Sequence, residues 1–450
     1  MGLMYRSVPA WAVVLLVLLA AAAAGVAAWY LQGDDIQHGI VLEGAGANIA
    51  FAYGAEPALA NPDFFRKARQ ELIDEKGSFV EADLAAMRVT VYKDGVPAKE
   101  VPILTKGRPG SWWETPAGLY QVELKKENHF SSFGKVYQPW SVAFQGNFFI
   151  HGWPYYPGGE PVSSSFSGGC IRLSTEDAKT VYDLVSVEMP VLVFEEDFAA
   201  DDFSYQRKTP STTAQSALVA DLQNSFVVLK KDSEREVPLS SFGQFLGGMV
   251  AAEYVNLEKG MTVGDGISLA TSSRLSLGQA VTPFDLLHLM LIGSSNEPLG
   301  ILADYLGTKR FGQLINAKVA SIGMKETRFD GLEDGTYQSQ GITTPEDLFR
   351  LSQYLYNNRS FLLEISNGKV TNAAYGKTAF PDIPSDNPLY RDSRLVGGKV
   401  APRGDGSSDF LGVFKVKVHG TERPLFVFLG GSTDLQADIE GVLAHIGSSF

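Results

Sequence analysis

The hydropathy pattern opens with twenty-one uncharged positions, Ala10 to Tyr30 (AWAVVLLVLLAAAAAGVAAWY). A run of that length can cross a bilayer as a helix, with Trp11, Trp29 and Tyr30 at the interfaces. Arg6 on the short side and Asp34 and Asp35 beyond it place the N-terminus inside and the bulk of the chain outside. The alternative is a signal peptide cut near Gly25 to Ala28; the run is longer than most signal cores, which favours an anchor. Residues 1–31 are therefore read as membrane anchor or signal segment, and 32–85 as a connecting region whose part from Asn61 to Lys76 has a charged helical pattern. From Ala86 the period shortens to two. MRVTVYKDGVPAKEVPI alternates apolar and polar positions around Asp94-Gly95, a hairpin turn, and SVAFQGNFFI reads as a buried strand. Thr175 to Val185 predicts a helix and MPVLVF a closing strand ending near Glu196, so 86–198 forms a mainly-β domain. Residues 199–216, polar and containing Pro, Ser and Thr, form a linker. Helical and strand-like stretches mix in 217–450, an α/β domain.

Charge and composition narrow the partners. A formal net charge of −13 argues against nucleic acid and against general attraction to anionic lipid, so an anionic substrate needs local cations. The single cysteine excludes an intramolecular disulfide framework and a cysteine-based zinc site. The six histidines are scattered without ligand spacing; no metal and no cofactor is expected.

That cysteine, Cys170, lies in IHGWPYYPGGEPVSSSFSGGCIRLS. A thiol attacks as thiolate, so it needs a base or positive surroundings and an open backbone. His151 ends the strand upstream, Arg172 follows by two positions, and Gly168 and Gly169 remove side chains where backbone N–H groups could hold an oxyanion. WPYYPGG is too rich in Pro and Gly for a core strand and reads as a loop capping a groove.

His151-Gly152, a loop, then Ser167-Gly168-Gly169-Cys170-Ile171-Arg172 resembles the L,D-transpeptidase (YkuD) motif, in which a histidine precedes [S/T]-H-G-C-[I/V]-R. Glu114-Thr115-Pro116-Ala117-Gly118 followed by LYQVEL looks like that family's TPxG turn and strand. The resemblance implies an all-β, sandwich-like domain with Cys170 as nucleophile, His151 as base and acid, and Ser167, Gly168, Gly169 and Arg172 at the oxyanion and substrate. Gly168 departs from the pattern, standing where the family has its second histidine.

The second domain resembles the D-alanyl-D-alanine carboxypeptidases, the low-molecular-weight penicillin-binding proteins. Ser241-Phe242-Gly243-Gln244 stands at the S-x-x-K box, Ser294-Ser295-Asn296 at S-x-N, and Lys399-Val400-Ala401 at K-T-G. Gln244 cannot titrate and Val400 has no hydroxyl, which leaves Ser241, Ser294, Asn296 and Lys399 as a remnant binding site in a catalytically inactive domain. Taken singly, Ser241 reads as a helix N-cap, Asn296 as a loop hydrogen bonder, Lys399 as a ligand for a peptide carboxylate, and His288 in FDLLHLMLI as a core histidine.

Together the resemblances imply a cysteine L,D-transpeptidase acting on peptidoglycan stem peptides, with water as the acceptor if it is an L,D-carboxypeptidase. The implied setting is the bacterial envelope, the bulk of the chain facing the periplasm or exterior, with the second domain binding muropeptide or other cell-wall enzymes. Two alternatives remain open: a membrane-anchored, non-catalytic wall-binding scaffold, and a cysteine amidase or endopeptidase acting on cross-links.

Overall fold

The computed structural model describes residues 40–44, 47–51, 62–108, 111, 113–195, 211–373 and 376–448. The expected anchor and most of the linker lie outside them. Among the described residues, no helix is long and apolar enough to cross a membrane.

The first domain packs two sheets face to face. One runs in the order Val96–Pro102, Arg88–Lys93, Phe79–Asp83, Pro190–Phe194, Gly118–Gln121, and the other Ile171–Arg172, Phe148–His151, Val136–Gln145, Leu124–Ser131. Asp94 and Gly95 form the two-residue hairpin, both with positive φ (51° and 76°), as a turn matching the strand twist requires. Between the sheets lies a core that includes Val80, Val91, Phe144, Ile150, Ile171 and Val191. Two features qualify the sandwich of this mainly-β domain. The Phe79–Asp83 and Pro190–Phe194 strands pair in parallel, as do Ile171–Arg172 and Phe148–His151, and the Thr175–Leu184 helix packs its Ala178 and Val181 into the same core. The 86 boundary also moves, because Phe79–Asp83 is the central strand of its sheet rather than part of a connection. Four of its five residues are buried, so it has none of the alternation that marks a half-exposed strand. Before it, the Pro62–Asp74 helix buries Ala68 and Leu72 and ties Arg69 to Glu81 at 2.5 Å and to the Tyr92 hydroxyl at 2.6 Å.

The second domain is built on an antiparallel sheet ordered Val227–Lys231, Ser216–Asp221, Thr421–Ser432, Ser408–Val418, Leu395–Pro402. The Leu435–Ser448 helix covers one face through Ile439, Val442, Leu443 and Ile446. A larger helical layer covers the other face, with Gly243–Tyr254 buried on nearly every side. Thr282 and Asp285 make a capping box that starts the Pro283–Leu291 helix, with Pro283 in its first turn, where a missing N–H costs nothing.

Candidate active site

Strand pairing assembles the first site. Ile171 pairs with Ile150 and Arg172 with His151, so the motif halves, separated by the loop, come side by side on parallel strands. Side chains alternate across a strand. Ile150 and Ile171 enter the core, which leaves Phe149, His151 and Arg172 on the opposite face, and there Cys170 packs against Phe149 and Ala143.

The thiol is 6 % exposed. Its S–H donates to the Asn147 carbonyl at 3.7 Å, Gln138 Nε2 lies 4.0 Å from the sulfur, and the Phe149 backbone N–H also points at it. Burial pushes its pKa up to about 11, against the opposing pull of that N–H, Arg172 and Gln138. His151 is 1 % exposed, and burial lowers it to about 3. Its Nδ1 sits 2.6 Å from the Gly152 carbonyl, which can only accept, so Nδ1 carries the proton. Nε2 is then a lone-pair acceptor, buried without a hydrogen-bond partner. Burial thus favours the neutral form of both the thiol and the imidazole.

The sequence favours a thiolate at neutral pH, whereas the buried site favours the thiol. At pH 7 iodoacetamide should modify Cys170 more slowly than in the urea-unfolded chain, with the folded rate rising about tenfold per pH unit toward pH 11. A plateau near pH 8 would contradict this. His151 also carries a linkage effect. Its folded pKa lies below the ordinary 6.5, so the unfolded chain binds the extra proton first, and stability should fall as the pH drops from 6.5 toward about 3.

The remaining motif residues divide between scaffold and rim. Ser167 Oγ donates to the Cys170 carbonyl and accepts the Gly169 N–H at 3.1 Å. Ser167 therefore builds the turn, and the Gly169 N–H is engaged there rather than offered to an oxyanion. Gly169 has φ +99°, and a Cβ on it would lie 2.2 Å from Phe148 Cε1, so only glycine fits. Arg172 is buried, donates to the Ser164 carbonyl at 3.1 Å, and holds its guanidinium 5.7 Å from the Trp153 ring centroid. Trp153 Nε1 in turn donates to the Val162 carbonyl at 2.9 Å, and Tyr155 stacks on Tyr137 at 5.5 Å, which fixes the WPYYPGG loop at the rim.

Gly168 is exposed, and a Cβ there would meet only the Phe133 ring, at 3.4 Å. Gly168→His should therefore fold with stability changed by no more than about 0.5 kcal/mol. By placing a second imidazole at the rim it should raise the Cys170 alkylation rate at pH 7 severalfold. Thermal melts and alkylation rates check both expectations.

Gln138, Asn147 and His129 escaped the sequence reading. His129 stacks on Phe149 at 4.6 Å and pairs across the strands with Gln138, which puts a second histidine near the thiol from the strand Leu124–Ser131. No spacing rule links these residues to Cys170; only the strand pairing does.

In the second domain, a cleft of about 490 Å3 is lined by Ser294, Ser295, Asn296, Glu297, Arg274 and Ile383, among others. Gln244 Nε2 donates to Asn296 Oδ1 at 2.8 Å and to the Ser295 carbonyl at 3.2 Å. Ser241 and Lys399 are not in its lining. Ser241 sits inside a one-turn 3-10 helix, and the following helix starts from Phe242 without a side-chain cap, so Ser241 is not an N-cap. Lys399 is buried, and its ammonium donates to the carbonyls of Met290 and Leu291, ending the Pro283–Leu291 helix where unpaired carbonyls favour a cation. Burial lowers its pKa to about 7. Lys399 is a buried helix-end ligand here, which corrects its reading as a carboxylate receptor. His288 is a core histidine whose two ring nitrogens face the carbonyls of Phe284 and Val370, each at 2.8 Å. Among the described residues, no cluster of three or more His, Cys, Asp or Glu is arranged to hold a metal ion.

Family models match two stretches of the chain. Residues 77–193 match the family model of the L,D-transpeptidase catalytic domain, and residues 204–393 match that of D-alanyl-D-alanine carboxypeptidase. The chain thus carries an L,D-transpeptidase-type domain followed by a carboxypeptidase-type domain. It is similar to the D-alanyl-D-alanine endopeptidase of Pseudomonas aeruginosa, at 29 % identity over 30 % of this chain and 45 % of that one. The Escherichia coli protein of the same name is 26 % identical over 32 % of this chain and 47 % of its own length. The chain therefore spans less than half of these relatives. Among solved structures, penicillin-binding protein 6B of Escherichia coli aligns with a TM-score of 0.44 at 17 % identity, over 54 % of this chain and 78 % of that one.

Proposed function

We propose that the protein is a cysteine L,D-transpeptidase of the bacterial envelope, acting on peptidoglycan stem peptides with the bulk of the chain outside the membrane. The observation that carries this reading is the common face shared by Cys170 and His151, with a buried His151 Nε2 lone pair left without a partner. In the reaction, His151 Nε2 takes the thiol proton as sulfur attacks the carbonyl between the third residue and the terminal D-alanine. The backbone N–H groups of Gly168 and Cys170 are assigned to the oxyanion, a role typically worth two to three orders of magnitude, roughly, in rate. As the tetrahedral intermediate collapses, the C–N bond breaks, the proton passes from His151 to the leaving amine, and a thioester remains on Cys170. An acceptor amine then forms the cross-link and frees the thiol; with water as acceptor the same steps make a carboxypeptidase. Arg172 and the Trp153 loop border the donor side.

The second domain is proposed as non-catalytic, because Gln244 offers its partners a neutral amide where a base is needed. Its cleft beside Ser294 and Asn296 remains a place for muropeptide to bind. The second reading, a wall-binding scaffold, draws on the neutral thiol and imidazole and on Gly168. Incubation of the protein with disaccharide-tetrapeptide, with and without an acceptor amine, separates the two. D-Alanine release that Cys170→Ala abolishes supports the enzyme; folded protein that releases none supports the scaffold.

A further inference from the structure

We propose that the second domain forms the back wall of the cysteine site, and that Arg359 is a positioning residue for Cys170. The inference rests on the transpeptidase reading only for its turnover arm. Two chains of contact lead from the second domain to the thiol.

The first runs through Arg359. It follows the Pro345–Asn358 helix, its side chain is fully buried, and its guanidinium lies 5.2 Å from the Phe148 ring centroid. Phe148 in turn lies against Gly169, where a Cβ would come within 2.2 Å of the ring, and Gly169 precedes Cys170. Arg359 Nη1 also donates to the Glu114 carbonyl at 3.2 Å, and Asn358 Oδ1 accepts the Ala117 N–H at 3.1 Å. The neighbouring Trp113 carbonyl is the other wall of Gly169, 3.0 Å from where its Cβ would stand. One arginine therefore touches both segments that close on the residue before the nucleophile.

The second runs through Glu253. Its backbone carbonyl accepts the Asn147 N–H at 3.1 Å, and its carboxylate accepts Gln145 Nε2 at 2.7 Å. The carbonyl of that same Asn147 receives the Cys170 S–H. Glu253 also pairs with Lys318 at 2.6 Å and Arg359 at 3.4 Å, and the Tyr354 hydroxyl donates to it at 2.6 Å. Burial alone would raise the Glu253 pKa, but Lys318 and Arg359 outweigh it and hold the carboxylate ionised. The turn carrying the thiol's acceptor is thus clamped to a fixed buried charge in the other domain. Displacement of a reacting group by about 1 Å can cost on the order of a hundredfold in rate.

The test uses the full chain, in which Cys170 is the only cysteine and alkylation reports on it alone. Arg359→Leu, Arg359→Lys, Phe148→Leu, Gln145→Leu and the double variant Arg359→Leu/Phe148→Leu are compared by iodoacetamide rate against pH and by D-alanine release. Arg359→Leu should shift the alkylation profile down by about one pH unit, roughly tenfold in rate at pH 7. It should lower kcat at least about tenfold with KM within about twofold, and Arg359→Lys should recover most of both. The double variant should be no worse than the poorer single variant, since both act through one contact. Gln145→Leu loses only one hydrogen bond, so it keeps the test open if Arg359→Leu does not fold; its alkylation profile should shift the same way. Unchanged profiles in the folded variants, or additive losses in the double variant, would overturn the proposal. If the wild type releases no D-alanine, the transpeptidase reading fails, and the alkylation arm still decides the positioning role.

Discussion

Cys170→Ser is expected to lower acyl transfer by about four orders of magnitude or more, with little change in stability. Removing the nucleophile of a hydrolytic triad costs on the order of a millionfold, and serine is no substitute here. A buried imidazole held at about pKa 3 is a weak base. It can draw a proton from a thiol as the sulfur bonds to carbon, but an alcohol is a much weaker acid and needs a stronger base. Serine nevertheless fits the space beside Ala143 and Phe149, and its hydroxyl can donate to the Asn147 carbonyl as the thiol does. Thermal melts should stay close to wild type while D-alanine release disappears. Residual activity within a hundredfold would mean that the hydroxyl is adequately activated and that the buried, neutral pair is not the working state.

Glu253→Leu is expected to destabilise the protein by about 3–5 kcal/mol, the usual cost of breaking a buried ion pair from one side. The carboxylate is fully buried between Lys318 and Arg359, both also buried, and the substitution removes the negative charge that these two cations share. It also removes the acceptor that the Tyr354 hydroxyl and Gln145 Nε2 share. Adding Lys318→Met should recover part of the loss, because it removes one of the two buried cations. Urea midpoints measure both. A change below about 1 kcal/mol for the single variant would mean that water reaches the cluster, and that the two domains are not joined through a dry interface.

The parts of the site that follow from local rules were legible in the residues. Asp94-Gly95 gives the hairpin because both positions need positive φ, and the Cys170, His151 and Arg172 spacing gives the motif. The paired second-domain helices appear at Pro283–Leu291 and Glu297–Leu306, on either side of Ser294. Other parts have no period to read. Phe79–Asp83 is buried on both faces and loses the alternation that identifies a strand. Lys399 looks like a surface cation in a motif, yet its stem is buried and its ammonium ends a helix more than a hundred residues earlier in the chain. The thiol's pKa depends on how deeply Phe149 and Ala143 enclose it, a packing outcome that charge near the motif does not disclose. Arg359 and Glu253 meet the first domain across more than a hundred residues of sequence, and the contact exists only once both domains have folded.

Intact-protein mass spectrometry during incubation with disaccharide-tetrapeptide tests the central claim most directly. The account predicts a transient species heavier by the donor mass less one D-alanine, located on Cys170 and absent from Cys170→Ala. Folded protein that carries no such adduct and releases no D-alanine would contradict it.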